Sequence, residues 1–367
     1  MPLVDDSMDE STPWLISQLK ERFVSTDNGF ILDSEAGNMP VWCLTLGAFE
    51  SWFSELESVT DQTLGRRLTH ASAESEEWRW SMAPAMPNSW IGQQKKRIAT
   101  VNSDWAIRGM GQLEMMESSN EKATLLVANR GHSALAAGMG NAAWECIQEL
   151  RFRFQWSDRG AGETVVECTK DTRQIPAPKN ADIPWTDLNG NPEENECLYD
   201  RARHETEGVW TVEGNRAMML PRDLLLRFEG LALSYLSTTQ RSTDARTEWR
   251  GVTDEETIVL WDAMAEAARR QFLASGELVL IANPEHWIQV SRRYLAQQGL
   301  GIVNDAEVVD ENGGVLLWVS AALHPAIVVG RLIGCWERAE GRSARAEWSS
   351  GESGHLIRLM SRREIAE

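Results

Sequence analysis

HSALAAGMGNAAWECIQELRFRFQWSDRGAGETVVEC, from His132, lies on HPAIVVGRLIGCWERAEGRSARAEWSSGESGHLIRLM, from His324, at a shift of 192 positions and with no gap. Nine of the 37 pairs are identical: His132/His324, Ala134/Ala326, Gly138/Gly330, Trp144/Trp336, Glu145/Glu337, Arg153/Arg345, Trp156/Trp348, Ser157/Ser349 and Gly162/Gly354. About two are expected by chance at ordinary residue frequencies. A self-match of this length, carrying a helix pattern and then strand patterns, restricts the chain to folds built from two like units.

The match continues upstream. GMGQLEMM from Gly109 lies on GLGIVNDA from Gly299, and EAGNMPVWCLTLGAFESWF from Glu35 is similar to VEGNRAMMLPRDLLLRFEG from Val212. These blocks delimit one copy over residues 28–172 and a second over 206–362. Residues 1–27 then form an acidic N-terminal segment. Residues 173–205, with Pro176, Pro178, Pro184, Pro192 and a run of acids, read as a linker that packs little core of its own.

The second copy shows the order of elements. Gly214-Asn215 marks a turn before a strand over Ala217 to Leu220, and Pro221 opens a helix, a position where proline is tolerated. Thr253 and Glu256 make a capping-box pattern, after which Ile258, Trp261, Ala265, Ala268 and Phe272 recur at helical spacing. A strand is expected over Glu277 to Ile281 and a helix over Glu285 to Gln298. Two strands flank Glu311-Asn312-Gly313-Gly314, then come the helix after His324 and strands over RSARAEWS and HLIRLM. The fold class is α+β: two repeated domains, each a mainly antiparallel sheet packed with helices, paired about a pseudo-twofold axis.

Composition limits the partners. A net charge of −19 argues against nucleic acid or an anionic membrane surface. The start, MPLVDDSMDE, has no apolar signal region, and the apolar run Val315 to Leu323 is far short of the ~20 residues that span a bilayer. No membrane insertion and a cytoplasmic location are therefore expected. Five scattered cysteines without a CxxC pair read as free thiols, not a disulfide framework or a zinc site.

A Gly-x-Gly-led hairpin, a small-residue helix with Gly330 and Gly334 four apart, then a strand, a glycine-containing turn and a final strand together resemble the 4-vinyl-reductase-type domain. GNRAMMLPRDLLLRFEG is similar to the way that domain begins. The resemblance implies a small-molecule-binding module with the fold of transport-protein-particle subunits. Many members carry zinc-binding cysteines on the last hairpin. This chain has only Cys168 there in the first copy and none in the second, so neither zinc nor any other cofactor is carried over.

The repeated residues are the candidate site. His132 and His324 read as pocket residues or as braces of a helix start. Trp144, Trp156, Trp336 and Trp348 read as walls for an apolar or aromatic ligand, or as core. Gly138, Ala142, Gly330 and Gly334 let a helix approach another backbone closely, at the contact between copies or in helix-on-sheet packing. Glu145 and Glu337 are an acid–base pair or ordinary partly solvated acids. Cys146 drops out because Arg338 replaces it. EEWRWSMAPAMPNSW, Glu76 to Trp90, is a partner-binding loop or a loop over the first core. No GxSxG, HExxH, P-loop or dinucleotide fingerprint is present. The expectation is a non-enzymatic binding or sensing protein, an intramolecular pseudo-dimer holding a small apolar molecule or a protein partner. The alternatives are a scaffold with a composite two-domain surface and a carrier or enzyme of tetrapyrrole-like metabolism.

Overall fold

The computed structural model describes residues 11–173, 176, 178–236, 239 and 241–362. After helix α1 (Ser11–Arg22) the chain forms strands β1 (Phe23–Ser25), β2 (Ile31–Asp33) and β3 (Met39–Thr45). Helices α2 (Leu46–Thr60), α3 (Gly65–Met82) and α4 (Gln93–Arg108) follow. The first run ends with β4 (Gln112–Ser118), β5 (Lys122–Ala128), α5 (Ser133–Gln148), β6 (Phe152–Asp158) and β7 (Thr164–Lys170).

A second run has the same order. It begins with β8 (Ala202–Thr206), β9 (Val209–Val212), β10 (Asn215–Pro221) and α6 (Arg222–Leu236). One strand without a counterpart, β11 (Thr247–Arg250), precedes α7 (Glu255–Ala274) and α8 (His286–Tyr294). Then come β12 (Gly301–Val308), β13 (Val315–Ala322), α9 (Pro325–Glu340), β14 (Ala344–Gly351) and β15 (Gly354–Ser361). The fold is α+β, with every strand pair antiparallel except β11–β14. No helix among the described residues is long and apolar enough to cross a membrane.

The two runs interlock. Their three-stranded meanders meet at β3 and β10, with Thr45 opposite Ala217 and Val41 opposite Pro221, to give a six-stranded sheet of order β1-β2-β3-β10-β9-β8. A four-stranded sheet (β4-β5-β7-β6) belongs to the first run and a five-stranded sheet (β11-β14-β15-β13-β12) to the second. Helices cross between runs: α2 packs on α7 and α6 on α3. The Trp52 indole N–H donates to the Met264 carbonyl at 3.4 Å, and the Phe53 and Phe228 rings lie 5.9 Å apart. One hydrophobic core accordingly contains residues of both runs.

Glycines seal the joint. Gly109 and Gly299 each end a helix at positive φ, and Gly111 and Gly301 follow, also at positive φ. A Cβ at Gly109 would strike the Ala217 carbonyl on β10, and one at Gly299 would strike the Val41 carbonyl on β3. The Gly111 N–H donates to Gly208 O at 3.0 Å, and the Gly301 N–H donates to Gly29 O at 3.1 Å. Each Gly-x-Gly of one run thus docks against the meander of the other, where only glycine gives both the φ and the clearance. The repeated helix glycines act elsewhere. A Cβ at Gly138 would overlap the Thr69 carbonyl of α3, and one at Gly330 the Ala265 carbonyl of α7. Gly334 faces Phe272 of α7, and Ala142, one turn past Gly138, is buried. The expectation that these glycines mark the contact between copies is corrected: the approach is between helices of the same run.

Other expectations shift. Residues 1–10 lie outside the described residues. The rest of the expected acidic N-terminal segment contributes α1 and β1, with Leu15, Leu19 and Phe23 in a second core on the six-stranded sheet. The linker is anchored: Trp185 enters the main core, and Asp187 accepts from His355 Nε2 and the Ala322 N–H at 3.0 Å each. Tyr199 donates to Phe23 O at 2.7 Å, and β8 begins before residue 206. Glu277 to Ile281 forms no strand, and Leu278 O accepts from the Tyr294 hydroxyl at 2.6 Å. The α7 N-cap is Asp254 rather than Thr253, its carboxylate accepting from the Thr257 N–H at 2.8 Å.

Two register slips separate the runs. The turn before the third meander strand has positive φ at Gly37 and Asn38, and at Glu213 and Gly214, so the Gly-Asn pairs are one residue out of step. In the last hairpin Trp156 faces Val166 while Trp348 faces Ile357, a one-residue offset that leaves Gly162 and Gly354 non-equivalent.

The first run is pinned by a buried ionic network. Arg22 donates bidentately to Asp33 at 2.8 Å and pairs with Asp104 at 2.9 Å. Arg79 also pairs with Asp104, and Arg108 reaches both Glu76 and Asp104. Burial alone would raise the Asp104 carboxyl, but Arg79, Arg108 and Arg22 overcome that and hold it well below the usual carboxylate range. Three guanidiniums and three carboxylates tie α1, β2, α3 and α4 together.

The glycine clearances predict a sharp contrast. Gly330→Ala should lose roughly 2–3 kcal/mol, since α9 and α7 must separate to admit the methyl. Gly230→Ala, in α6 with open space where its Cβ would go, should gain about 0.5–1 kcal/mol from helix propensity. Urea unfolding of the two variants beside the parent chain checks both signs.

Candidate functional site

The repeated histidines both stand at helix starts, in unequal surroundings. His324 is the N-cap of α9 and is 0% exposed. Its Nδ1 accepts from the Ala326 N–H at 3.2 Å, which places the ring proton on Nε2, 2.8 Å from Glu229 Oε2. Glu229 Oε1 accepts the Trp261 indole N–H at 2.9 Å. The His324 ring sits edge-on between Trp185 and Trp261, with centroids at 5.4 and 5.6 Å. His132 caps α5 without a side-chain bond to the helix, and its Nδ1 is buried with no hydrogen-bond partner among the described residues. Phe49 and Phe53 hold its ring edge-on at 5.4 and 5.5 Å. Burial, then the Arg130 charge, push its pKa down to about 4 against a smaller opposing pull from Asp158.

The tryptophans divide. Trp348 joins Trp185, Trp249, Trp261 and His324 in one aromatic cluster, 5.4 Å from Trp261 and 5.9 Å from Trp249. Trp336 lies apart, its indole N–H donating to Gly313 O at 2.7 Å, and forms one wall of a groove of about 160 Å³ with Pro284, Trp287 and Val308. Leu278 and Leu280, just before the groove-lining Ile281 in sequence, are 79% and 87% exposed. Trp144 packs against Phe152 at 6.3 Å. Trp156 is half-buried on β6 beside Phe154. The structure therefore brings His324 and Trp348 together through Trp261, and leaves His132, Trp144, Trp156 and Trp336 in separate places. Glu145 and Glu337 brace the strand that follows their helix: each accepts a backbone N–H, from Phe152 at 2.7 Å and Ala344 at 2.9 Å, and each is ion-paired to arginine.

A different residue opens on solvent-filled space. Arg331, in the middle of apolar α9, borders a cleft of about 460 Å³ at the seam between the runs. The cleft is walled by the start of α2 (Thr45, Gly47, Ser51), the end of α7 (Gln271, Ser275) and the turn before β10 (Glu213, Asn215). Arg331 is 4% exposed. Its Nη1 donates to Tyr294 O at 3.2 Å, Nη2 to Gln271 Oε1 at 3.4 Å, and Nε to nothing among the described residues. The Trp42 ring lies 5.7 Å away. No described carboxylate lies within ion-pair distance of it. The two acids of the cleft are engaged elsewhere, Glu213 with Arg201 and Glu277 with Arg293 at 3.1 Å. Burial pushes the Arg331 guanidinium down to about 10. Arg22 and Arg108, equally buried, each have carboxylates at hydrogen-bond distance. The first turn of α2 also points into the cleft, and nothing fills the space at Gly47. A buried cation without a counter-ion and a helix N-terminus converge on one cavity, an arrangement that attracts an anion.

Arg331 escapes a reading of the repeat, because its partner there is Met139 and only matching positions stand out. The signal was present: a lone Arg within PAIVVGRLIGCW is the one charge on an otherwise apolar helix face.

Comparison with known proteins identifies no matching family model, no similar curated protein and no similar solved structure.

The His132 environment gives a pH dependence. The unfolded imidazole titrates near 6.5 and the folded one near 4. As pH falls through this window the unfolded chain takes up a proton that the folded chain refuses, so stability present at neutral pH is lost toward pH 4. His132→Asn keeps a helix-capping residue but cannot titrate. Between pH 7 and 4.5 the stability gap should move in favour of the variant by ~2–3 kcal/mol, measured by urea unfolding at both pH values.

Proposed function

We propose that the chain is a non-catalytic binding protein, two copies of one module joined face to face, and that it holds a small carboxylate-bearing molecule with an apolar body in the seam cleft. The observation that carries this reading is Arg331, a buried guanidinium with no carboxylate partner among the described residues, facing an open cavity. Leaving such a charge unpaired costs several kcal/mol, a cost that a bound anion offsets. Leu198, Val212, Phe272 and Tyr294 supply apolar wall for the rest of the ligand, while Thr45, Ser51 and Gln298 offer orienting polar groups. The class of ligand agrees with what the resemblance to 4-vinyl-reductase-type modules implies, a small organic molecule. The site differs from the His and Trp positions that the repeat singles out.

The scaffold reading draws on one further observation. The groove beside Trp336, lined by Ile281, Trp287 and exposed Val308, with exposed Leu278 and Leu280 just before Ile281 in the chain, is an apolar surface of the kind that protein partners cover.

The ligand-binding reading is tested with the purified full chain, titrated with benzoate, phenylacetate and hexanoate while tryptophan emission is followed. Saturable binding is expected for the parent chain, and at least about tenfold weaker binding for Arg331→Met, since a charge-assisted contact is lost. Without ligand, Arg331→Met should be as stable as the parent or more stable by ~1 kcal/mol or more, because an uncompensated buried charge is replaced by an apolar side chain. Failure of all three carboxylates to bind, undiminished binding by Arg331→Met, or strong destabilisation of that variant overturns the reading.

A further inference from the structure

The two runs differ at one sheet edge, and the difference specifies a missing strand. In the second run β11 pairs in parallel with the outer edge of β14, Thr247 opposite Ala346 and Trp249 opposite Trp348. That strand comes from the long connection between α6 and α7, residues 237–254, whereas the matching connection between α2 and α3 is only residues 61–64. The counterpart of β14 is β6, and among the described residues no strand lies on its outer side.

The edge is configured to receive one. The Asp171 N–H donates to Arg151 O, which fixes the phase of the β6–β7 ladder. Arg153, Gln155 and Ser157 then bond to β7, while the backbone groups of Phe154 and Trp156 point outward. Phe152 confirms the phase, since its N–H is taken by Glu145 from outside the sheet. In the second run the residue equivalent to Phe154 is Ala346, and its N–H donates to Arg246 O on the β11 side at 2.8 Å. Side chains agree with the backbone. Ala346 and Trp348 are buried beneath β11, but Phe154 and Trp156 remain half-buried. A cavity of about 600 Å³ lies beside Phe154, lined by Arg66, His70, Arg151 and Arg153 and also by Glu74, Glu77, Glu145 and Glu167.

The charges name the occupant. β11 is basic where it meets its bed: Arg246 pairs with Glu266 at 3.3 Å and Glu337 at 3.1 Å, and Arg250 pairs with Glu347 at 2.8 Å. The Trp249 indole donates to Asp262 at 2.8 Å. The matching close approaches of Gly138 to Thr69 and Gly330 to Ala265 set the register of α3 on α7. In that register Arg66 stands where Asp262 does, and His70 where Glu266 does. Gln155 replaces Glu347, and Glu145 is already held by Arg151 at 2.9 Å. The first run therefore lacks the free acids that hold a basic strand in the second: Glu77 and Glu145 are held by Arg151 and Glu74 by Arg227, while Arg66 has no ion pair among the described residues and Arg153 reaches only Asp171, at 3.8 Å. We infer that the free edge of β6 binds an extended acidic segment of another protein chain, added in parallel as β11 is on β14, with an aromatic side chain over Trp156. The main-chain bonds would supply affinity, and the Arg66 and Arg153 guanidiniums the choice of an acidic sequence. This inference does not depend on the seam cleft.

The octapeptide of residues 244–251 provides the probe, in its own sequence and with Arg246→Glu and Arg250→Glu. Titrated into the labelled full chain, the charge-reversed peptide should bind saturably and at least about tenfold more tightly than the parent peptide, with the preference shrinking at high salt. Phe154→Pro removes an outward N–H that the β6–β7 ladder does not use, so the edge strand tolerates it, and binding should be lost while cooperative unfolding is kept. If that variant fails to fold, the doubly substituted Arg66→Glu, Arg153→Glu chain serves instead and should reverse the preference toward the parent peptide. The inference is overturned if the charge-reversed peptide binds no better than the parent peptide, if Phe154→Pro folds and still binds it, or if the double variant keeps the original preference.

Discussion

Backbone meets backbone at the joint between the two runs, and the rest of the architecture follows from that closeness. Gly109 and Gly111 lie against β10 and Gly208, and Gly299 and Gly301 lie against β3 and Gly29, in spaces where a methyl group would overlap a carbonyl. With those contacts made, β3 and β10 can pair, and the six-stranded sheet forms from halves that are short on their own. The pairing in turn crosses the helices, α2 onto α7 and α6 onto α3, so that neither run closes a core alone. The seam cleft is a product of the same geometry, since its walls come from the start of α2 in one run and the end of α7 in the other.

The class of fold and the order of elements were legible because both depend on local pattern. Helical spacing after Thr253 and the turn at Gly313-Gly314 survive in the structure as α7 and the β12–β13 hairpin. What was not legible depends on partners distant in sequence. Glu277 to Ile281 has strand composition, yet it pairs with no strand among the described residues, and its Leu278 carbonyl is taken by the Tyr294 hydroxyl instead. The proline-rich linker reads as packing little core of its own, but Trp185 and Asp187 find the aromatic cluster and His355 across long stretches of chain. The role of Gly138 and Gly330 was legible as close approach, while the identity of the approached helix was not. The docking glycines of the joint were visible as GMG and GLG, and their meaning came only from seeing what they touch.

Identity between copies is a guide to shared structure, and it filters out what is specific to one copy. Several matched residues pack or brace the fold, with His324 on Glu229, Trp348 in the aromatic cluster, and Glu145 and Glu337 on the N–H of the strand that follows. The positions that offer unused chemistry are mismatches. Arg331 stands against Met139, Arg66 against Asp262, and His70 against Glu266.

That asymmetry has a physical basis in how the runs are stabilised. The first run neutralises its buried arginines Arg22, Arg79 and Arg108 among Asp33, Asp104 and Glu76, and leaves a sheet edge uncovered. The second run covers the equivalent edge with its own strand and packs aromatic rings where the first has ions, Phe272 taking the place of Glu76 in the α3–α7 register and meeting Tyr294 at 5.1 Å. Because the glycine joint and the crossed helices bear the packing for both runs together, a charge could be left unpaired in one and an edge left open in the other without unfolding either.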